Sequence, residues 1–289
     1  MKLVTFSCRG RTSIGKIHGD QVIDLAAADA SLPTTMRELL AGGPALMERA
    51  HNVNPERSPS YPLADVRLEA PVPNPSKFLA IGMNYRKHVE EAKRGGIEVP
   101  DSQVWFNKQV SCVNGPFDPV HMPKVSDKLD YEAELGVVIG RRCRHVSAAD
   151  ARSVIAGYVV INDVSVRDWQ RRSPTMTLGK SFNTTGPNGP WIVTDDEVAD
   201  PHALTLRMLV NGEVRQEVST CEMIFNIYDQ IAYLSTVMTL EPGDLLATGT
   251  PSGVGAAMQP PSFLKVGDVM RVEIDGIGHI ENIVIPEPV

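Results

Sequence analysis

Tyr131-Glu132-Ala133-Glu134-Leu135-Gly136-Val137-Val138-Ile139-Gly140, answered by Val159-Val160-Ile161-Asn162-Asp163, sets acids inside two runs that otherwise read as apolar β-strands. A buried carboxylate is costly unless charges or hydrogen bonds compensate it. Alternate residues of an extended chain share a face, so Glu132 and Glu134 point the same way, roughly 6 to 7 Å apart at Cβ. That separation suits the grip of one ion. Asp163 ends the second run and adds a third carboxylate if the two strands are neighbours. An all-oxygen set with no nearby thiol favours Mg²⁺ or Mn²⁺, with Ca²⁺ as the alternative, over zinc. Alternating acids also occur on half-exposed strands that simply face water, so the spacing alone leaves both readings open.

The rest of the chain bounds what such a site can serve. At 289 residues there is room for one large domain and a small one. Hydrophobic residues make up 42% and charged residues 22%, an ordinary balance for a globular protein, and no apolar run approaches the length of a membrane span. Met1 to Phe6 alternates like a strand and lacks the pattern of a signal peptide, so a cytoplasmic location is expected. Cys8, Cys112, Cys143 and Cys221 are scattered without paired spacing, which points to reduced thiols rather than a disulfide framework or a zinc site. A net charge of -7 without a basic run argues against a nucleic-acid partner.

Residues 1–70 read as a small amino-terminal domain and 71–289 as the main one. The first contains strands over Lys2–Ser7, Ser13–His18 and Gln21–Leu25 and a helix over Thr34–Ala41 closed by Gly42-Gly43. The proline- and serine-rich stretch 55–75 has the composition of a linker. In the main domain Phe78–Gly82 reads as a strand and Tyr85–Lys93 as a helix stopped by Gly95-Gly96. A helix is expected from Ser147 between the two acid-bearing strands. Asn211-Gly212 between Leu204–Val210 and Glu213–Val218 is a strong hairpin signal; a helix over Ile227–Met238 and strands over Asp244–Thr248 and Val269–Ile274 follow. Strands outnumber helices and the turns favour antiparallel pairing, an α+β chain that is predominantly β.

Polar residues near the acids sharpen the picture. His88 and Glu91, three apart on a helix, share a face, the spacing of a histidine oriented by a carboxylate to act as a base. Isolated pairs of this kind are commonplace on exposed helices, so the reading depends on what lies beside them. The flanking glycines would let this helix act as a lid. Arg167 and Lys180 supply positive charge that offsets three carboxylates and lets an anion approach; Lys108 is a weaker candidate of the same kind, equally readable as a lysine whose stem lies along apolar surface. Gly179-Lys180-Ser181 lacks the first glycine of a phosphate loop, which excludes a nucleotide site. Thr248 to Gly255 lacks dinucleotide spacing; its use is to offer backbone amides and the Thr250 hydroxyl to an oxyanion, or to be an ordinary turn.

Asn84-Tyr85-x-x-His88-x-x-Glu91, Glu132-x-Glu134, Asn162-Asp163-x-x-x-Arg167-Asp168-x-Gln170, Gly179-Lys180-Ser181-Phe182 and Thr248-Gly249-Thr250-Pro251-x-Gly253-Val254-Gly255 occur in one order, and in that order the chain resembles the fumarylacetoacetate hydrolase family over roughly residues 71 to 286. The resemblance implies a mixed β-sandwich roll with a small amino-terminal domain, a homodimer, and Mg²⁺, Mn²⁺ or Ca²⁺ held by Glu132, Glu134 and Asp163. It implies substrate contacts from Arg167, Gln170, Thr250 and Lys108, catalysis by His88, Glu91 and Lys180, and a 2-oxo acid as substrate. The activity it implies first is hydrolysis of a carbon–carbon bond in 2,4-dioxo acids such as acylpyruvates or fumarylpyruvate, with pyruvate leaving as an enolate that the metal stabilises. Decarboxylation of oxaloacetate, isomerisation or decarboxylation of 2-hydroxyhepta-2,4-diene-1,7-dioate in aromatic catabolism, and hydrolysis of 2,4-dioxo-3-deoxy sugar acids reuse the same enolisation. A non-catalytic acid-binding protein would keep the acid triad and lack the His88–Glu91 pair.

Overall fold

The computed structural model describes residues 1–96, 98 and 101–288. Two sheets face one another. The larger has 12 strands, ten of them running in space from Ser60–Pro62 through Gln21–Asp24, Arg11–His18, Lys2–Cys8, Gly186–Thr194, Ile155–Asn162, Ala133–Ile139 and Leu245–Ala247 to Phe78–Gly82 and Val104–Lys108, with Arg67–Leu68 and Val113–Asn114 paired at the side on Lys2–Cys8 and Gly186–Thr194. The smaller has five: Glu213–Ser219, Thr205–Val210, Val269–Ile274, Gly278–Pro286 and Val120–Met122. Pairing is mostly antiparallel, as expected. Leu245–Ala247 runs parallel to Phe78–Gly82, and Gly278–Pro286 parallel to Val120–Met122, which makes both sheets mixed.

Ala133–Ile139 is buried on both faces, and its alternation feeds two cores. Leu135, Val137 and Ile139 pack with Tyr158 and Val160 against Leu206, Met208, Met270, Val272 and Ile280 of the facing sheet. Val138, Val159, Ile161 and Ile192 turn the other way, onto Leu32, Met36, Leu39 and Leu40 of the amino-terminal region. That region is stitched in by backbone as well, because Lys2–Cys8 pairs with Gly186–Thr194.

Some expected elements differ. The stretch 55–75 contains two short strands, Ser60–Pro62 on Gln21–Asp24 and Arg67–Leu68 on Lys2–Cys8, so its prolines mark edges of a sheet rather than a free linker. Gly42-Gly43 does end the helix Met36–Ala41, but Pro44 then opens a second one, Gly43–Asn52. No α-helix starts at Ser147. Its hydroxyl does cap Asp150, yet the chain makes only a 3₁₀ turn, Ala151–Val154, before the strand Ile155–Asn162 begins. So short a segment offers a helix little beyond its costly nucleus. The Asn211-Gly212 hairpin forms with both residues at positive φ, +54° and +80°, as a tight two-residue turn requires.

A candidate metal centre beside an acid–base pair

The site is assembled at the end of the two acid-bearing strands. Ala133 lies opposite Asn162 in the antiparallel register, and beyond that pair the Asp163 amide donates to the Glu132 carbonyl at 2.8 Å. Asn162 Oδ1 accepts from the Glu132 amide at 3.0 Å and fixes the strand end. Glu132, Glu134 and Asp163 are buried, and an oxygen from each lies within 4.8 Å of the others. The strand Leu245–Ala247 brings up the third side. Gly249, just past it, donates its amide to Glu134 Oε2 at 2.7 Å. Its φ is +101°, and a Cβ there would stand 2.7 Å from that of Asn84, so only glycine brings the amide this close.

Three cations stand against the acids. Lys180 Nζ donates to Glu132 Oε2 and, at 2.7 Å, to Asp163 Oδ2, and its ammonium sits 4.7 Å from the centre of the Phe106 ring. Arg167 Nη2 lies 2.8 Å from Glu132 Oε1, while its Nε donates to Asp130 Oδ2 at 2.8 Å and its Nη1 to Gln170 Oε1 at 3.0 Å. Lys108 is as buried as the acids: its Nζ lies 2.7 Å from Asp163 Oδ1 but aims its hydrogen bonds at the carbonyls of Val164 and Lys180. The ion pairs divide the two glutamates. Burial works to raise Glu132, but Arg167 and Lys180 outweigh it and hold this carboxyl well below its ordinary range. Glu134 goes the other way: burial first, then the charges of Asp163 and Glu132, push it well above. Burial also works against the charge on Lys180 and Arg167, yet the facing acids keep both firmly protonated.

This donor set fits a hard divalent cation. All three groups offer oxygen, Glu134 is a buried acid with too little positive charge beside it, and Asp163 Oδ1 has no hydrogen-bond donor among the described residues.

His88 and Glu91 lie on the helix Arg86–Arg94, where His88 Nδ1 is 3.0 Å from Glu91 Oε2. A carboxylate only accepts, so the proton belongs on Nδ1 and the Nε2 lone pair is left as the base. Glu91 Oε1 accepts from the Gly253 amide at 3.2 Å, which joins this helix to the Thr250 loop. Asn84 ties the start of the helix down through Phe225 and Thr248. Thr250 Oγ1 accepts from Gln216 Nε2 at 2.9 Å.

The structure therefore brings the acids, Lys108, Arg167, Gln170 and Lys180 into one bonded cluster, with Thr250 and the His88–Glu91 helix linked through the Gly249–Gly255 loop. Lys108 and Arg167 have their donors turned onto protein acids and carbonyls. Sequence reasoning assigned no role to Asp130, Asn84, Asn162 or Gln216. Asp130 was legible as a further acid at the head of the same strand. Gln216 had no local signal, since its Oε1 reaches the Ala133 amide from a hairpin 83 residues away.

Comparison with known proteins agrees with this architecture. The family model described as fumarylacetoacetate hydrolase, C-terminal, matches residues 77–285. A Xenopus laevis protein named oxaloacetate tautomerase, mitochondrial, is 41% identical over 99% of this chain and 90% of its own length. Among solved structures, a fumarylacetoacetate hydrolase of Exiguobacterium antarcticum superposes with a TM-score of 0.88 at 36% identity, over 99% of this chain and 100% of that one. A maleylpyruvate hydrolase of a Sphingobium species, in complex with manganese(II) and pyruvate, superposes at 0.83 with 33% identity over the whole of both chains. The chain belongs to the fumarylacetoacetate hydrolase family, whose members named here are enzymes. No helix among the described residues is long and apolar enough to cross a membrane.

Proposed function

We propose that the protein catalyses metal-dependent enolisation of a 2-oxo acid, with keto–enol interconversion of oxaloacetate as its first reaction. The observation that carries this reading is Lys180, an ammonium fixed between two acids of the triad, with an oriented histidine base joined to the site through the Gly253 amide. The name of the Xenopus laevis relative supports the choice of oxaloacetate. When bound by Glu132, Glu134 and Asp163, a divalent cation such as Mg²⁺ or Mn²⁺ supplies a Lewis acid for the 2-oxo group. His88 Nε2 takes the proton from C3, and Glu91 holds the imidazolium that results. Lys180, kept protonated by Asp163 and Glu132, stabilises the negative charge that develops on the oxygen and gives that oxygen its proton to complete the enol, the His88 proton returning to the amine. Gln170 and Thr250 hold the remaining substrate oxygens. Arg167 helps to hold Glu132 ionised, and Lys108 lies against Asp163 and orients it.

A second reading is hydrolysis of acylpyruvates. The same His88–Glu91 pair would draw a proton from water instead, and water would attack the carbonyl at C4; the pyruvate in the Sphingobium structure favours keeping this reading. The four unpaired thiols suit a reducing compartment, whether cytoplasm or the mitochondrion named for the relative.

The test is a product assay with Mn²⁺ or Mg²⁺. Accelerated decay of enol-oxaloacetate with neither CO₂ nor pyruvate formed is the expected result. Pyruvate with a second acid from acetylpyruvate or fumarylpyruvate would establish the hydrolase instead, and silence on all three substrates would sink both readings.

A further inference from the structure

Asp130 is a fully buried carboxylate with both oxygens taken. Oδ1 accepts from the amides of Tyr131 at 3.0 Å and Gly255 at 2.8 Å; Oδ2 accepts from the Ala256 amide at 3.0 Å and from Arg167 Nε at 2.8 Å. One side chain thus joins the short strand Leu129–Asp130, the helix Arg167–Gln170 and the turn Gly255–Ala257 that follows the Thr250 loop. The turn is pressed close: a Cβ on Gly255 would lie 2.6 Å from Asp130 Oδ1 and 2.2 Å from the Ser262 carbonyl.

The guanidinium is planar and its donors have fixed directions. Once Asp130 holds Nε and Gln170 takes Nη1, the plane of Arg167 is set, and that places Nη2 2.8 Å from Glu132 Oε1 as an ion pair. We propose that Asp130 is a positioning residue, which fixes through Arg167 the orientation in which Glu132 faces the cation and ties that orientation to the loop bearing Thr250. It touches neither substrate nor metal. The inference rests on Glu132 being a metal ligand, and its test is built to separate the two.

Metal-free wild type, D130N, E132Q and G255A are titrated with Mn²⁺, and free and bound ion are read by electron paramagnetic resonance. Asn is isosteric with Asp but loses the charge and turns one acceptor into a donor facing Arg167 Nε and the Ala256 amide. Partners that orient a metal ligand typically contribute about tenfold to a hundredfold in affinity. D130N is therefore expected to weaken Mn²⁺ binding by about that factor and to broaden the bound-ion spectrum, with E132Q losing the ion altogether. G255A, which pushes on the same carboxylate from the turn, should shift affinity in the same direction. Wild-type affinity and spectrum in D130N, with binding lost in E132Q, would overturn the proposal while leaving the metal site intact. Undiminished binding in E132Q would remove the metal reading and this one with it. Should D130N not fold, G255A decides: weakened binding supports the proposal and unchanged binding overturns it.

Discussion

The Asp163 amide donates to the Glu132 carbonyl at 2.8 Å, so the two acids that flank Lys180 are locked by backbone rather than by side-chain choice. Backbone pairing at the strand ends sets the spacing of the site before any ion arrives. Preorganised carboxylates of this kind lose little freedom on binding.

Replacing Asp163 with Asn removes one ligand oxygen and a partner of both Lys108 and Lys180. Mn²⁺ affinity and turnover should both fall by at least about a hundredfold. Calorimetric titration and the enol-decay assay measure the two losses, and retention of both would contradict the assignment of the triad.

Glu134 makes metal binding a proton exchange. In the metal-free fold burial, with Asp163 and Glu132, raises this carboxyl well above its ordinary value. Its protonated form therefore stabilises the fold fully below the ordinary glutamate range, and that stabilisation is lost as pH rises through the raised value. A cation replaces the proton, so the gain in melting temperature on adding Mn²⁺ should grow with pH across the same window. Titrations in two buffers of different ionisation heat should show proton release; equal heats would contradict it.

His88→Gln should leave Mn²⁺ binding near the wild-type level, because the imidazole is outside the triad, while kcat drops about 10² to 10⁴-fold, the usual worth of a positioned base. Glu91→Gln should reduce kcat less, since the ring keeps its place but loses its counter-charge. A pH–rate profile of each variant is the measurement; full activity in His88→Gln would remove the base.

Lys108→Met leaves Asp163 with less compensating charge in the interior. Breaking a buried pair typically costs about 3 to 5 kcal/mol. Urea midpoints should show that loss in the metal-free protein and a partial recovery with Mn²⁺, which would supply the missing charge. A variant as stable as the parent would show that Lys108 is dispensable to the cluster.

Leu135→Ala tests the core between the sheets, where Leu135 is fully buried. A loss of about 2 to 5 kcal/mol is expected from transfer and cavity terms together. Denaturant unfolding should show a lower midpoint with an unchanged slope.

Local patterns carried a large part of this protein. The two-residue alternation of strand side chains placed Glu132 and Glu134 on one face, three-residue helical spacing paired His88 with Glu91, and Asn211-Gly212 marked its hairpin, because each depends only on neighbours along the chain. Where competing local signals met, tertiary demand won: Ser147 offered a helix cap, but the following apolar segment was needed as a central strand. What the acids are bonded to was a tertiary decision throughout. Lys108 reads along the chain as a surface lysine as readily as a buried one, and only packing put its ammonium beside Asp163. Gln216, Asp130 and Gly249 are joined to the site across gaps of 83, 125 and 115 residues, through the Ala133, Gly255 and Glu134 contacts respectively. Such pairings are set by which strands become neighbours in the sheets, and hydrogen bonds between distant residues leave no periodicity in the sequence. The amino acids present determined that a cation site was affordable in chemistry; the register of the strands decided where its oxygens meet.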